Sequence, residues 1–220
     1  MKLNVFFIAI VWAACVSCKS NRYQGVPYED AEYQGGMQHI PGKVYCACYD
    51  KGGEGVAYHD ATPQNHGSGE LNPLNGSYLH SFRADEGVDI SYTKSNDTDN
   101  SAYNYVEPPM NQLYVGWTAP GEWIKYTVYV EKTGKYAVSL LYTSNRGGKI
   151  ALEVNDKDMV GDVTIASTYR SDDPLDWRQW HHWNVALLGE VTLKKGKQVL
   201  TLRTIEEGQM NYAWLEFELQ

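Results

Sequence analysis

Phenylalanine is scarce in this 220-residue sequence, with four against seventeen tyrosines and seven tryptophans. A core built from apolar contact alone would draw on Phe more evenly, because Trp and Tyr carry a polar edge that needs a partner. Cysteine is scarce too. Of four, Cys15 and Cys18 fall in an N-terminal leader, leaving Cys46 and Cys48 two positions apart. A bridge between such near neighbours would strain the backbone, so two buried free thiols are expected. No other ligands cluster with them to make a metal site. No basic cluster offsets the formal net charge of -8, which excludes nucleic acid as a partner. The same charge disfavours strongly anionic ligands unless a local basic pocket overrides it. Beyond the leader, no apolar run is long enough to cross a bilayer. No stretch keeps a helical period over three turns, and no nucleophile elbow, phosphate loop or zinc spacing occurs.

What is present begins with the leader. Lys2 precedes the apolar run at residues 5–14 (VFFIAIVWAA), which has signal-peptide length. Val16-Ser17-Cys18 follows, and this order resembles a bacterial lipoprotein signal in which Cys18 is lipidated. The expected organisation is a signal at 1–18, a flexible tether at 19–38 and one domain at 39–220. The tether reading rests on polar residues with Gly25, Pro27, Gly35 and Gly36. Export to the cell envelope follows, on the outer-membrane surface or the periplasmic face, with membrane contact through the lipid alone.

The remainder alternates in short segments punctuated by Gly, Asn, Asp and Pro, the pattern of an all-β sandwich. Residues 122–130 (EWIKYTVYV) set Ile124, Tyr126, Val128 and Val130 on a core face, with Trp123, Lys125, Thr127 and Tyr129 opposite. Tyr136, Val138, Leu140 and Tyr142 alternate next, then Ile150, Leu152 and Val154. Residues 191–193 and 198–204 read as a hairpin around Lys194-Lys195-Gly196-Lys197. The last strand, 211–219, opposes Ala213, Leu215, Phe217 and Leu219 to Tyr212, Trp214, Glu216 and Glu218. Two polar segments, 59–77 and 94–112, are longer than hairpins need, and such loops are often functional.

Six pieces in order carry a resemblance to a known family: IPGKVYCACYDKGGEGVAYHD, YVGWTAPGEWIKYTV, GKIALEVND, WRQW, VTLKKGKQVLTLRT and NYAWLEFEL. Together they resemble the family 6 carbohydrate-binding modules. The resemblance implies a two-sheet β jelly roll that binds sugar in a cleft between loops at one end. By the same resemblance, Trp117 of YVGW supplies one stacking ring. The other comes from Trp177 of WRQW, or from Trp180 in the overlapping WHHW, and Asn211 bonds hydroxyls. A polar contact is implied near Tyr58 and His59. A second site on the concave sheet face would centre on Trp123, with Lys125 and Tyr129. The family's first strand carries carboxylates for a structural calcium ion. The matching positions here are Tyr45 and Ala47, which do not replace charged oxygen ligands, so the calcium is doubtful and no cofactor is expected.

Enzymatic readings fare poorly. Asp172, Asp173 and Asp176 share a polar loop, Glu206 and Glu207 a turn, and Glu216 and Glu218 a strand face. None forms a recognisable two-carboxylate or nucleophile–base arrangement. Of the adjacent His181 and His182, one is expected to pack and the other to hydrogen-bond at the rim. Trp183 and Trp214 read as structural. The resulting expectation is non-catalytic capture of poly- or oligosaccharide, with glycan-degrading enzymes as possible neighbours. The alternative is an adhesin or assembly subunit contacting protein, and less plausibly an unrecognised glycan-active enzyme.

Overall fold

The computed structural model describes residues 23–32 and 36–220. The leader, Trp12 and Cys18 lie outside them. The strands in chain order are β1 (Gln38–Ile40), β2 (Gly42–Tyr45), β3 (Tyr58–His59), β4 (Ile90–Tyr92), β5 (Leu113–Val115), β6 (Trp123–Val130) and β7 (Gly134–Ser144). They continue with β8 (Gly148–Val154), β9 (Lys157–Asp158), β10 (Val163–Ile165), β11 (Asn184–Leu193), β12 (Gly196–Glu206) and β13 (Met210–Leu219). One sheet has the order β1-β6-β12-β8-β10, with β3 added to β6 and β9 to β8. The other has β11-β7-β13-β5-β4, with β2 added to β13. Pairing is antiparallel except between β1 and β6. The result is an all-β, two-sheet sandwich of jelly-roll type.

The alternation in β6 and β8 is the reason they form. Ile124, Tyr126, Val128 and Val130 are buried, as are Ile150, Leu152 and Val154, and they face the inward side chains of the opposite sheet. Many core rings are tyrosines because each reaches the edge of the core and bonds there. Tyr126 donates to the Cys46 carbonyl at 3.2 Å, Tyr142 to that of Ala166 at 3.0 Å, and Tyr136 to that of Lys132 at 2.5 Å. Tyr212 Oη lies 3.1 Å from Thr204 Oγ1. A phenyl ring would leave those edge carbonyls and hydroxyls without a partner.

Four expectations need correction. The segments read as a hairpin at 191–204 belong to different sheets, β11 pairing with β7 and β12 with β6 and β8. The Lys194–Lys197 turn therefore crosses the sandwich instead of closing a ladder. Alternation in β13 breaks at a bulge between Tyr212 and Trp214. Tyr212 consequently joins the main core, while Ala213 and Trp214 pack in a smaller cluster with Tyr114, Leu141 and Trp183. Cys46–Cys48 is a single 3-10 turn instead of strand. Its two thiols are free and buried, and burial pushes the Cys46 thiol up to about 12. Finally, part of the stretch read as tether lies along the domain. Val26 exchanges backbone hydrogen bonds with Lys51 at 2.8 and 2.7 Å, and Tyr28 packs on Phe82 with ring centroids 5.2 Å apart.

The residues at the calcium position do not fit that ion. Tyr45 packs edge-on against Trp214, and Ala47 is fully buried. The Cys46 and Cys48 carbonyls already accept from Tyr126 and Gln38. Among the described residues no group of three or more His, Cys, Asp or Glu side chains could hold a metal.

Carboxyl groups in the fold give it a pH profile. Burial pushes Glu122 up to about 7, against backbone donors from Ala119 and Ala61, and pushes Asp89 up to about 6. The unfolded chain releases these protons at lower pH, so their contribution to stability falls as pH rises from about 4 towards 7. Asp173 behaves oppositely. Hydrogen bonding from Arg178 holds it well below the usual carboxylate range, so its contribution is lost only as pH falls below about 4. A thermal midpoint measured from pH 3 to pH 8 should therefore peak at about pH 4–5 and decline on both sides. A midpoint rising steadily through pH 8 would contradict this balance.

Candidate functional site

At one end of the sandwich, loops enclose an open cavity of ≈ 540 Å³. That volume lies within the range of small-ligand sites. Trp117, Trp177, Trp180 and Asn211 all line it, together with Leu71, Lys94, Thr98, Tyr114, His181 and Gln209. Trp117 and Trp177 stay 41% and 51% exposed, where the sandwich has fully buried Trp183. Both long polar loops contribute, one through Leu71 and the other through Lys94 and Thr98.

Each ring is held from behind. Trp117 follows β5 and takes φ +48, a left-handed conformation that costs a bulky side chain about 1–2 kcal/mol. Its neighbour Thr118 maintains it, since Thr118 Oγ1 accepts from Met210 N at 3.0 Å and donates to Met210 O at 3.2 Å. Gly208 makes the close approach possible, because a Cβ there would sit 2.3 Å from the Thr118 carbonyl oxygen. Gly116 is small for a similar reason: a Cβ would come within 2.8 Å of Asn211 Oδ1.

Trp177 and Trp180 share the 3-10 turn Asp176–Trp180. Asp173 grips that turn by accepting from Arg178 Nε at 2.7 Å and Nη2 at 2.8 Å. His182 Nε2 lies 2.8 Å from the same carboxylate. Gln179 adds two bonds to the Arg170 backbone, both at 2.9 Å. The Trp180 carbonyl accepts from Asn211 Nδ2 at 2.8 Å and from Thr143 Oγ1 at 2.7 Å. One Asn211 amide proton is thus spent on the turn, which leaves the Oδ1 side and the second proton for any ligand.

Asp99, fully buried, ties the opposite wall to this one. Its Oδ2 accepts from Lys94 N at 2.7 Å, and its Oδ1 lies 2.9 Å from His181 Nδ1 and 2.8 Å from Trp183 Nε1. His181 then meets Trp177 edge-on, with ring centroids 6.1 Å apart. His182 is buried and His181 stands at the rim, the division expected of that pair.

The remaining candidates lie elsewhere. Tyr58 is buried in β3, where its hydroxyl accepts from Gly87 N at 3.2 Å. His59 points to Glu54 at 2.5 Å. Neither lines the cavity, because β3 pairs with β6 in the first sheet while the cleft sits on loops beyond the second. Trp123, Lys125 and Tyr129 share a sheet face, half-buried, on which other side chains of the protein also lie. Lys125 bonds Asp156 at 2.7 Å and lies 5.4 Å from the Tyr23 ring, while Arg203 sits 5.6 Å over Trp123. The sequence reading missed Leu71, Lys94, Thr98, Tyr114 and Gln209. Only the length of the two loops hinted at the first three.

No carboxylate lines the cavity among the described residues, so a pair flanking a glycosidic bond is not available there. Three of the seven acids weighed from sequence are held in ion pairs. Asp173 pairs with Arg178, Asp172 with Arg170 and Glu206 with Lys149.

The sequence matches the model of the carbohydrate binding module (family 6) over residues 81–219, more than half of the chain. It belongs to that family. Family 6 membership makes this a non-catalytic carbohydrate-binding chain. Similar solved structures include a β-1,3-glucan binding CBM6 from Bacillus halodurans, with 16% identity, 83% of this chain and 98% of that one covered, and a TM-score of 0.49. Another is CsCBM6-3 from Clostridium stercorarium in complex with cellobiose, at 11% identity, 85% and 100% coverage, and a TM-score of 0.49. A third is CBM6cm-2 from Cellvibrio mixtus lichenase 5A in complex with cellotriose, at 18% identity, 61% and 88% coverage, and 0.45. No curated protein matches this chain. The assignment rests on the family match, and what those neighbours bind is a property of theirs.

The strained backbone at Trp117 gives a test that separates its two roles. Trp117→Gly removes the ring and relieves the left-handed strain, whereas Trp117→Ala removes the ring and keeps it. Both variants should lose ligand binding, and the glycine variant should melt at or above the alanine variant. A glycine variant melting several degrees lower would show that no strain is held there.

Proposed function

We propose that this family 6 module captures poly- or oligosaccharide in the end cleft, with sugar rings stacked on Trp117, Trp177 and Trp180. The convergence of exposed tryptophans on one ≈ 540 Å³ cavity, each fixed by buried hydrogen bonds, carries this reading. Sugar rings present apolar C–H faces to such rings, and each stack contributes about 1–3 kcal/mol by analogy with aromatic stacking on planar bases. Asn211, Gln209 and Thr98 supply amides and a hydroxyl for orienting contacts. The supports are already formed, so binding requires little rearrangement.

The cell-envelope role follows from the leader. Lipidation at Cys18 would anchor the domain, with part of 19–38 as spacer, on the outer-membrane surface or the periplasmic face. Held there, the module keeps glycan within reach of separate degrading enzymes. The Trp123, Lys125 and Tyr129 face ranks as a lesser site, since Lys125 and Arg203 already cover the Trp123 ring. A protein-contacting adhesin remains the competing reading and would use an apolar patch or open strand edge instead.

A soluble form spanning residues 19–220, screened on a broad glycan array, tests this directly. At least one glycan should bind, and Trp117→Ala or Trp177→Ala should each weaken it about tenfold or more. Absence of any glycan binding, with both variants changing only self-association, would favour the adhesin.

A further inference from the structure

The charge lining the cleft has one sign. Among the described residues Lys94 and His181 are the basic side chains lining it, and no carboxylate joins them. This contrasts with a chain whose formal net charge is -8. Arg83 and Arg178, the buried guanidinium groups, each have a carboxylate at 2.8 and 2.7 Å respectively. Lys94 has no carboxylate in ion-pair contact among the described residues. Its ammonium sits 5.0 Å over the Tyr92 ring, half-buried between the two long loops. Asp99 accepts from the Lys94 backbone and lies at bonding distance of His181 and Trp183, so it acts on the ammonium through its charge and not through an ion-pair contact. Burial pulls the Lys94 ammonium below the usual lysine range, with Asp99 opposing.

A partly desolvated ammonium with no carboxylate in ion-pair contact, on the wall of an otherwise aromatic cleft, is costly to leave beside a neutral ligand and favourable beside an anion. We propose that the cleft selects sugars bearing an anionic substituent, carboxylate or sulfate, which seats on Lys94 while the ring stacks on the tryptophans. This rests on the cleft being the glycan site. A single ammonium suits one such group per bound unit and acts as a point charge, without the two-pronged geometry of a guanidinium. The overall negative charge slows the approach of anionic glycans but does not cancel a contact made inside the cleft.

Paired ligands decide the matter. Hexuronate oligosaccharides are compared with their carboxyl-reduced counterparts, and sulfated galactan oligosaccharides with desulfated ones, by calorimetry on the intact soluble chain. In one pair at least, the anionic member should bind about tenfold more tightly, and which pair responds distinguishes carboxylate from sulfate. Lys94→Met keeps the aliphatic stem over Tyr92 and should bring the two members of that pair to equal affinity, while Lys94→Arg restores the difference. Neutral members bound as tightly as anionic ones by the wild type would overturn the selectivity and leave carbohydrate binding intact. A preference that survives in Lys94→Met would overturn the role of Lys94. Binding of neither member of any pair, nor of any neutral glycan, would overturn both the cleft and the selectivity. The wild-type comparison stands even if a Lys94 variant folds poorly.

Discussion

The cleft depends on one buried carboxylate. Asp99 is fully excluded from solvent and accepts from the Lys94 backbone, with His181 and Trp183 at bonding distance. Those three donors come from both walls of the cavity and from the small core behind it, where Trp183 packs on Tyr114 with centroids 5.4 Å apart. Without Asp99, the 94–112 loop would lose its side-chain tie to His181 and Trp183, leaving the bond from Arg178 Nη1 to the Asp97 carbonyl at 3.2 Å as its direct link to the turn that presents Trp177. An unpaired Trp183 indole N–H would also remain in the interior, at a cost of about 1–3 kcal/mol, and the His181 ring at the rim would lose its partner. Asp173 repeats the device one layer out by fixing Arg178 and His182 beneath the tryptophan turn. Rings that must stay exposed are therefore held through their backbones and neighbours instead of through burial of their own faces.

The division of labour among aromatic residues explains the composition. Tyrosine serves the core, because its hydroxyl reaches the sandwich edge and satisfies a carbonyl or hydroxyl there, as at Tyr126, Tyr136, Tyr142 and Tyr212. Tryptophan fills the core at Trp183 and Trp214, stands exposed at the loop end at Trp117 and Trp177, and is half-buried at Trp180 and Trp123. The scarcity of Phe is thus mainly a property of the core, and the functional signal lies in three tryptophans and not in the total.

Much of the sandwich was legible because the large apolar side chains of β6, β7 and β8 recur at every second position, a period visible in the sequence even though Thr127, Leu141 and Ala151 are buried as well. Sheet membership was not, since a Lys-Gly turn of the same composition can close a hairpin or cross between sheets, as it does before β12. The β13 bulge was hidden for a related reason: one extra residue at Ala213 shifts which side chains face in, and nothing in NYAW marks it. Trp117, Trp177, Trp180 and Asn211 were reached through motif resemblance, and the fold brings them to one cavity. Tyr58 and His59 fall outside that cavity, because proximity in sequence to a long loop does not fix which end of the sandwich a short strand serves. Lys94 was invisible, since its meaning comes from the absence, among the described residues, of a carboxylate in ion-pair contact with it.

The central claim is that ligand enters the loop cleft and not the sheet face. Titration of the soluble chain with a bound glycan, followed through the indole N–H resonances in a nitrogen–proton correlation spectrum, tests it most directly. Six tryptophans lie beyond the leader, at 117, 123, 177, 180, 183 and 214, and each gives its own resonance. The account predicts that Trp117, Trp177 and Trp180 shift on binding while Trp123 and Trp214 stay in place. Movement of Trp123 with Trp117 and Trp177 unmoved would contradict it.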